Sequence, residues 1–170
     1  NRLGRVLRDS PRRTLGIVTA GKAALDVMSA LNALGLDERR SEALGIRVLK
    51  LAMTWPVEPL AMREFCAGHR QVLVVEEKRA FIEPQVATIL FHEPADRRPQ
   101  LIGKVDASGR PLLLQVNELN PPLIQEALMR VLEELGLVDE PLRACYAELS
   151  QRMQDIAGPA TEFARMPFFC

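Results

Sequence analysis

Short apolar runs alternate with amphipathic segments over the first half of the chain. Residues 15–20, 46–53 and 71–76 are nearly continuous apolar runs, and each is followed by a segment with helical apolar spacing. In the segment at about 22–34, the apolar stripe comprises Ala24, Val27, Met28, Leu31 and Leu34. Three successive strand–helix units with apolar strands predict a parallel sheet that is covered by helices on both faces.

The pattern changes after residue 99. Residues 100–105 and 111–115 flank Asp106-Ala-Ser-Gly109, which is typical of a turn and predicts either a strand pair or one strand and an extended return. Asn120 is a good N-cap for an amphipathic helix that ends near Leu135. A last helix over about 140–156 is expected to bury Leu142, Cys145, Leu149 and Met153. We therefore predict one α/β domain over 15–157, a three-layer α/β/α arrangement around a mostly parallel sheet of about five strands.

The two ends of the chain depart from this pattern. Arginines crowd the N-terminus, so we expect a solvated basic linker over 1–14, with an arm that binds an acidic partner as the alternative. Residues 158–170 finish in an apolar run and are expected to be a linker into another domain. Because the chain also starts without Met, we expect it to be a piece of a longer protein.

Composition narrows the classes of function. The 22 basic and 22 acidic residues cancel, which argues against nucleic acid or an anionic membrane as a partner. No apolar run approaches the roughly eighteen residues of a membrane-spanning helix. Cys66, Cys145 and Cys170 are odd in number and far apart, so neither a disulfide framework nor a metal site is predicted, and a cytoplasmic location fits best. His69 and His92 also lack partners at ligand spacing and are expected to be structural.

The spacing G-x-x-x-x-G-K, from Gly16 to Lys22, resembles a phosphate-binding loop. Ala23 stands where that loop needs a hydroxyl, and the residues between the glycines are better explained as strand. Nucleotide hydrolysis is therefore not expected. Thr19, Gly21 and Lys22 stay as candidates for a weak anion site at a helix start, and a simple strand-to-helix turn is the alternative.

Loops that follow parallel strands gather at one edge of the sheet, and ligands or partners usually bind there. We call the loops 19–22, 54–58 and 76–79 the crest. Their charges suggest an acid–base cluster, pairing with another domain or subunit, or plain solvation, and Trp55 is either a lid on the core or an interface anchor. We favour contact with a neighbouring domain, with the following interface candidates: Trp55, Glu58, Glu76, Glu77, Lys78, Arg79 and Glu83.

Several ordered motifs resemble those of indolepyruvate ferredoxin oxidoreductase and related 2-oxoacid:acceptor oxidoreductases. They are Leu15-Gly-Ile-Val-Thr-Ala-Gly-Lys-Ala23, Gly45-Ile-Arg-Val-Leu-Lys50, Met53-Thr-Trp-Pro-Val-Glu-Pro59, Val74-Val-Glu-Glu-Lys-Arg79, Gly103-Lys104, Ser108-Gly-Arg-Pro-Leu112 and Pro167-Phe-Phe-Cys170. The resemblance covers nearly the whole chain. It implies a domain similar to the C-terminal domain of transketolase, between two thiamine-binding domains. Residues 158–170 would then be the linker into a thiamine-diphosphate-binding domain that is absent from this chain.

The family implies a parent enzyme that oxidatively decarboxylates 2-oxoacids to acyl-CoA with thiamine pyrophosphate, Mg²⁺ and [4Fe-4S] clusters, and passes electrons to ferredoxin. This chain has no Gly-Asp-Gly motif for the metal of the thiamine site and no C-x-x-C series. We therefore predict no catalytic residue, metal ligand or cofactor in the chain, which by itself is expected to be inactive. Its partners are other domains or subunits of the enzyme, and it is a possible homodimer. The alternative is an autonomous Rossmann-like module that binds CoA or a nucleotide phosphate at Gly21 and Lys22.

Overall fold

Five strands and six helices make up residues 4–157, the part of the chain that the computed structural model describes. The strands are β1 (Gly4–Arg8), β2 (Leu15–Ala20), β3 (Ile46–Leu51), β4 (Gln71–Val75) and β5 (Gln100–Ile102). The helices are α1 (Ala23–Ala33), α2 (Glu38–Leu44), α3 (Pro59–Cys66), α4 (Ile82–Phe91), α5 (Pro121–Glu134) and α6 (Glu140–Ala157). Within these described residues, none of the helices has the length and apolarity to cross a membrane.

The central strand of the sheet is β2, and the strand order is β1-β3-β2-β4-β5. β2 pairs in parallel with β3 and β4, β4 pairs in parallel with β5, and β1 is antiparallel to β3. All residues of β4 are buried, as expected for a strand that is covered on both faces. The predicted mostly parallel sheet of five strands is confirmed.

Alternate residues of the strands contribute to two separate apolar cores. In β2, Ile17 packs in the core with α1 and α5, and its neighbour Val18 packs in the other core with α3 and α4. Consecutive side chains of a strand point to opposite faces, so one run of apolar residues supplies both cores. This gives the three-layer arrangement that the sequence predicts.

The basic linker predicted over 1–14 is wrong for Gly4–Arg8, which form the edge strand β1. The arginine run also contacts the rest of the domain, since Arg13 Nη1 donates to the carbonyl of Ala67 at 2.7 Å. That carbonyl lies at the C-terminal end of α3, where unpaired carbonyls carry partial negative charge and favour a cation.

The helix α2 is absent from the sequence-based prediction because it has almost no apolar face. Its only buried residue is Ser41, and its ends are defined by caps. Asp37 accepts the N–H of Arg40 at 2.8 Å, and Gly45 ends the helix with a φ of 80°. Periodicity cannot detect a helix that is specified by its caps alone.

The last helix, α6, packs along only part of its length. Leu142 is fully buried, but Met153 is 45% exposed, contrary to the prediction that it is buried. Cys145 is half-buried, and its thiol donates to the carbonyl of Ala33 at 3.2 Å. The helix therefore extends beyond the surface that it covers. The linker predicted over 158–170, including Cys170, lies outside the described residues.

Candidate functional site

The crest lies along one edge of the sheet. β2, β3 and β4 are level at their C-terminal ends, where Ala20 lies opposite Leu51 and Thr19 lies opposite Val75. The chain leaves β2 toward one face and β4 toward the other, since α1 and α4 cover opposite faces. Open α/β sheets usually bind ligands in the crevice that such a divergence creates.

Lys22 lies at this crevice and is the centre of an ionic network. Its Nζ lies 2.8 Å from Asp26 Oδ2 and 3.1 Å from Glu118 Oε1. Glu77 Oε1 is 3.7 Å away. Lys22 also donates to the carbonyl of Leu119 at 3.0 Å, and the N–H of Leu119 donates to Glu77 Oε2 at 3.0 Å. The network ties the loops after β2 and β4 to the segment before α5, and the hydrogen bond to Asp26, then that to Glu118, raises the pKa of Lys22.

The surroundings of the candidate anion site are acidic. Three carboxylates lie within ion-pair distance of the Lys22 ammonium and neutralise it. Thr19 is fully buried in β2, so its hydroxyl does not face solvent. Gly21 has a φ of 55°, and a Cβ there would meet no atom within 4 Å, so the glycine serves the turn and not a close approach. This is the geometry of a strand-to-helix turn that ion pairs hold in place.

Glu76, the first acid after β4, caps a helix. It is only 6% exposed. Its Oε2 accepts the N–H groups of Phe81 at 2.9 Å and Ile82 at 2.7 Å, and its Oε1 accepts that of Glu83 at 3.1 Å. These N–H groups belong to the first turn of α4 and have no partner inside the helix. The carboxylate of Glu76 is therefore fully engaged within the chain, so a partner has no access to it.

Two further acids among the interface candidates also position backbone. Glu83 Oε2 accepts the N–H of Lys104 at 3.0 Å. Glu58 caps α3, because it accepts the N–H of Leu60 at 3.0 Å and that of Ala61 at 2.6 Å. A carboxylate at a helix N-terminus is favourable for both hydrogen bonding and charge. The acids near the crest thus shape its loops from within.

Two aromatic rings stand exposed beside each other, one on the crest and one at the start of α4. Trp55 is 66% exposed and Phe81 is 53% exposed, and their ring centroids are 5.9 Å apart. Gln85 holds both loops, since its Oε1 accepts the N–H of Val57 at 3.0 Å. Its Nε2 donates to the carbonyls of Thr54 and Phe81, both at 2.9 Å. An exposed aromatic pair on a braced backbone is typical of an interface anchor.

The exposed cations of the loop that precedes Phe81 are Lys78 and Arg79. Lys78 has a φ of 53°, a left-handed conformation that is uncommon for a residue with a side chain. The tight turn is held on one side by the buried Glu76 and directs the chain back toward α4. Of the interface candidates, Trp55, Lys78 and Arg79 are thus the ones that a partner can reach freely.

Two buried charged residues were not predicted from the apolar pattern of the sequence. They lie in residues 103–114, which we call the strap, an extended return that forms only one isolated bridge, Val105 with Pro111. Lys104 is 4% exposed and Asp106 is 5% exposed. The sequence feature that could have revealed Lys104 is a lone lysine in an apolar run. For Asp106 it is the turn motif that this residue begins.

Asp106 holds the strap together. Its Oδ1 accepts the hydroxyl of Ser108 at 2.7 Å and the backbone N–H groups of Ser108 and Arg110. Its Oδ2 accepts Arg110 Nε at 3.0 Å and Arg130 Nη2 at 2.7 Å, the latter from α5. The hydrogen bond from the Ser108 hydroxyl is the largest of the effects that lower the pKa of Asp106. The strap is thereby fixed to α5.

The residues described here do not fit the cofactors that the sequence resemblance implies. Among residues 4–157 there is no group of three His, Cys, Asp or Glu side chains that could hold a metal ion. Cys66 is buried in the apolar core, where burial raises the pKa of its thiol to about 12, which does not suit a thiolate ligand. The ammonium of Lys22 at the crevice is paired with carboxylates that would repel a diphosphate.

Two solved structures share part of this outline at low sequence identity. One is a 2-oxoglutarate:ferredoxin oxidoreductase from Magnetococcus marinus with 2-oxoglutarate, coenzyme A and succinyl-CoA bound, with a TM-score of 0.48 and 20% identity over 79% of this chain and 20% of that one. The other is an inactive β4 tetramer of a split-gene transketolase, with a TM-score of 0.45 and 20% identity over 85% of this chain and 40% of that one.

Sequence comparison gives a more specific assignment. The chain is 32% identical over 126 residues to the indolepyruvate oxidoreductase subunit IorA of Methanothermobacter marburgensis, and 31% identical over 126 residues to that of Methanothermobacter thermautotrophicus. Each match covers 74% of this chain and 18% of the relative, so the chain spans about a fifth of the length of these curated relatives. Residues 5–155 match the family described as indolepyruvate oxidoreductase domain. The chain therefore belongs to the indolepyruvate oxidoreductase domain family.

Proposed function

We propose that this chain is a non-catalytic structural and interaction domain of a 2-oxoacid oxidoreductase. The parent enzyme would oxidatively decarboxylate an indolepyruvate-type 2-oxoacid to its acyl-CoA, with thiamine pyrophosphate, Mg²⁺ and [4Fe-4S] clusters held by other domains or subunits. Ferredoxin and CoA would be partners of that enzyme in the cytoplasm. Membership of the family and the small share of the IorA relatives that the chain spans support this proposal.

The observation that carries the proposal is the exposed pair Trp55 and Phe81. A surface that covers both of these adjacent rings would gain the free energy of removing their apolar area from water. Their loops are braced by Gln85, so little conformational entropy is lost when a partner binds. We propose that this pair, with Lys78 and Arg79, packs against a cofactor-bearing domain or a second subunit.

The hydrogen bonds and ion pairs of the acids at and near the crest support a non-catalytic role. Glu58, Glu76 and Glu83 accept backbone N–H groups, and Glu77 joins the Lys22 network. A general acid or base needs a carboxyl group that can reach a substrate proton. These acids instead position the loops and the helix start of the docking surface.

The test compares variants of the intact protein that contains this chain. We expect the double substitution Trp55→Ala and Phe81→Ala to weaken docking by about 2 kcal/mol or more, as loss of a central aromatic anchor does. The readouts are 2-oxoacid-dependent reduction of an artificial electron acceptor and the thermal unfolding midpoint. The matched control is Phe91→Ala, which removes a ring that is 69% exposed at the other end of α4.

Both readouts should fall for the double variant and stay near those of the unsubstituted protein for the control. Equal activity and stability in all three proteins would show that the crest is ordinary surface. The 170-residue chain alone should release no CO₂ from 2-oxoacids. Decarboxylation by the chain alone would refute its non-catalytic role.

A further inference from the structure

The strap and the crest meet at Lys104. This lysine is 4% exposed, so it cannot contact a partner to any useful extent. Its Nζ donates to the backbone carbonyl of Glu76 at 2.6 Å and to that of Leu114 at 3.3 Å. Its own carbonyl accepts the N–H of Leu112 at 2.9 Å. One buried side chain therefore links the end of β4 to both arms of the strap.

The residue that Lys104 holds is the one that places Phe81. The carbonyl of Glu76 binds the Lys104 ammonium, and the carboxylate of the same residue accepts the N–H of Phe81 at 2.9 Å. Both hydrogen bonds have a charged partner, and such bonds are stronger than those between neutral groups. A shift of Glu76 would therefore displace the first turn of α4 and the ring of Phe81 that contacts Trp55.

A second contact joins the strap directly to α4. The backbone N–H of Lys104 donates to Glu83 Oε2 at 3.0 Å. At Gly103 a Cβ would overlap the Glu83 carboxylate, so the strap backbone approaches α4 as closely as glycine permits. The position of α4 relative to the strap is thus fixed at two adjacent residues of the strap.

We propose that Lys104 is a positioning residue for the docking surface formed by Trp55 and Phe81. It acts through Glu76 and contacts no partner, and it couples the strap, which Asp106 anchors to α5, to the crest. The docking role of the pair rests on the function proposed above. The positioning role concerns the crest itself and is measured separately.

The test is amide hydrogen exchange, read by mass spectrometry, on the intact protein with Lys104→Met. The N–H groups of Phe81, Ile82 and Glu83 are those that Glu76 caps, so they report directly on the coupling. We expect their exchange to accelerate by about tenfold or more, with exchange in β2 unchanged. The control is Lys50→Met, the same change at a half-buried lysine in β3.

A second variant, Lys104→Gln, is measured in parallel. It keeps a hydrogen-bond donor on a side chain that is one atom shorter, so it should destabilise the fold less. Faster exchange confined to residues 76–83 in whichever variant folds supports the positioning role. Unchanged exchange there, or equal acceleration in β2 and the crest, overturns it. Failure of the proposed docking would appear elsewhere, as normal activity in the Trp55 and Phe81 double variant.

Discussion

The buried carboxylate of Glu76 accepts the backbone N–H of Phe81 at 2.9 Å, so an acid that solvent barely reaches sets the place of an exposed aromatic ring. Glu76 appears in the sequence beside three other charged residues, in a run that resembles solvated surface. In the structure it closes the loop between β4 and α4 from inside. Within this one run of charged residues, the buried Glu76 therefore stabilises the fold, and the exposed Lys78 and Arg79 are accessible to a partner.

Glu76→Ala should lower the free energy of unfolding by about 2 kcal/mol, since it leaves three N–H groups at the start of α4 without their acceptor. Urea unfolding of the variant chain measures the change. Glu126→Ala, at an exposed position of α5, is the control and should be nearly neutral. Similar losses in both variants would contradict the capping role.

Gly16→Ala should destabilise the fold by about 1–3 kcal/mol through overpacking of the central strand. A Cβ at Gly16 would lie 3.1 Å from Phe65 Cε1 and 3.3 Å from His69 Cδ2. Thermal unfolding gives the comparison, with Ser29→Ala on the exposed side of α1 as the control. A variant as stable as the control would show that these side chains can withdraw at no cost.

His69 should make the domain less stable in mild acid. Burial lowers the pKa of His69 from 6.5 to about 4, and the positive charges of Arg47 and Arg13 act in the same direction. Between pH 6.5 and about 4 the unfolded chain binds the proton and the folded chain does not, so stability falls as the pH falls. The loss from this residue amounts to roughly 3 kcal/mol at most.

His69→Gln isolates that effect, because glutamine does not titrate. Denaturant unfolding of both proteins at pH 7.5 and pH 4.5 gives the difference in pH dependence that belongs to His69. The variant should lose less stability on acidification than the unsubstituted chain. Parallel losses would mean that carboxylates alone account for the acid sensitivity.

Calorimetry on the chain tests the alternative of an anion-binding module at Gly21 and Lys22. Because three carboxylates already surround the Lys22 ammonium, we expect no heat of binding with CoA, ATP or thiamine pyrophosphate. Lys22→Met serves as the matched control and should behave the same way. Binding that disappears in this variant would instead favour the anion-binding module.

Apolar periodicity predicts the sheet and most of the helices because Ile17 and Val18 must each face a core. It does not detect α2, whose caps define it, or β1, whose arginines mask a short edge strand. The crest follows from the parallel direction of the strands, since loops after parallel strands share an edge. Which charged residues near the crest are buried could not be predicted, because Glu76 and Lys104 are buried against each other and are distant in sequence.

Hydroxyl-radical footprinting of Trp55 in the intact protein tests the central claim most directly. The oxidation rate of Trp55 is compared with its rate in the isolated 170-residue chain, and Phe91 serves as the internal reference. If the crest packs against another domain or subunit, Trp55 should oxidise several-fold more slowly in the intact protein, with Phe91 little changed. Equal rates for Trp55 in both proteins would contradict the claim that the crest is a docking surface.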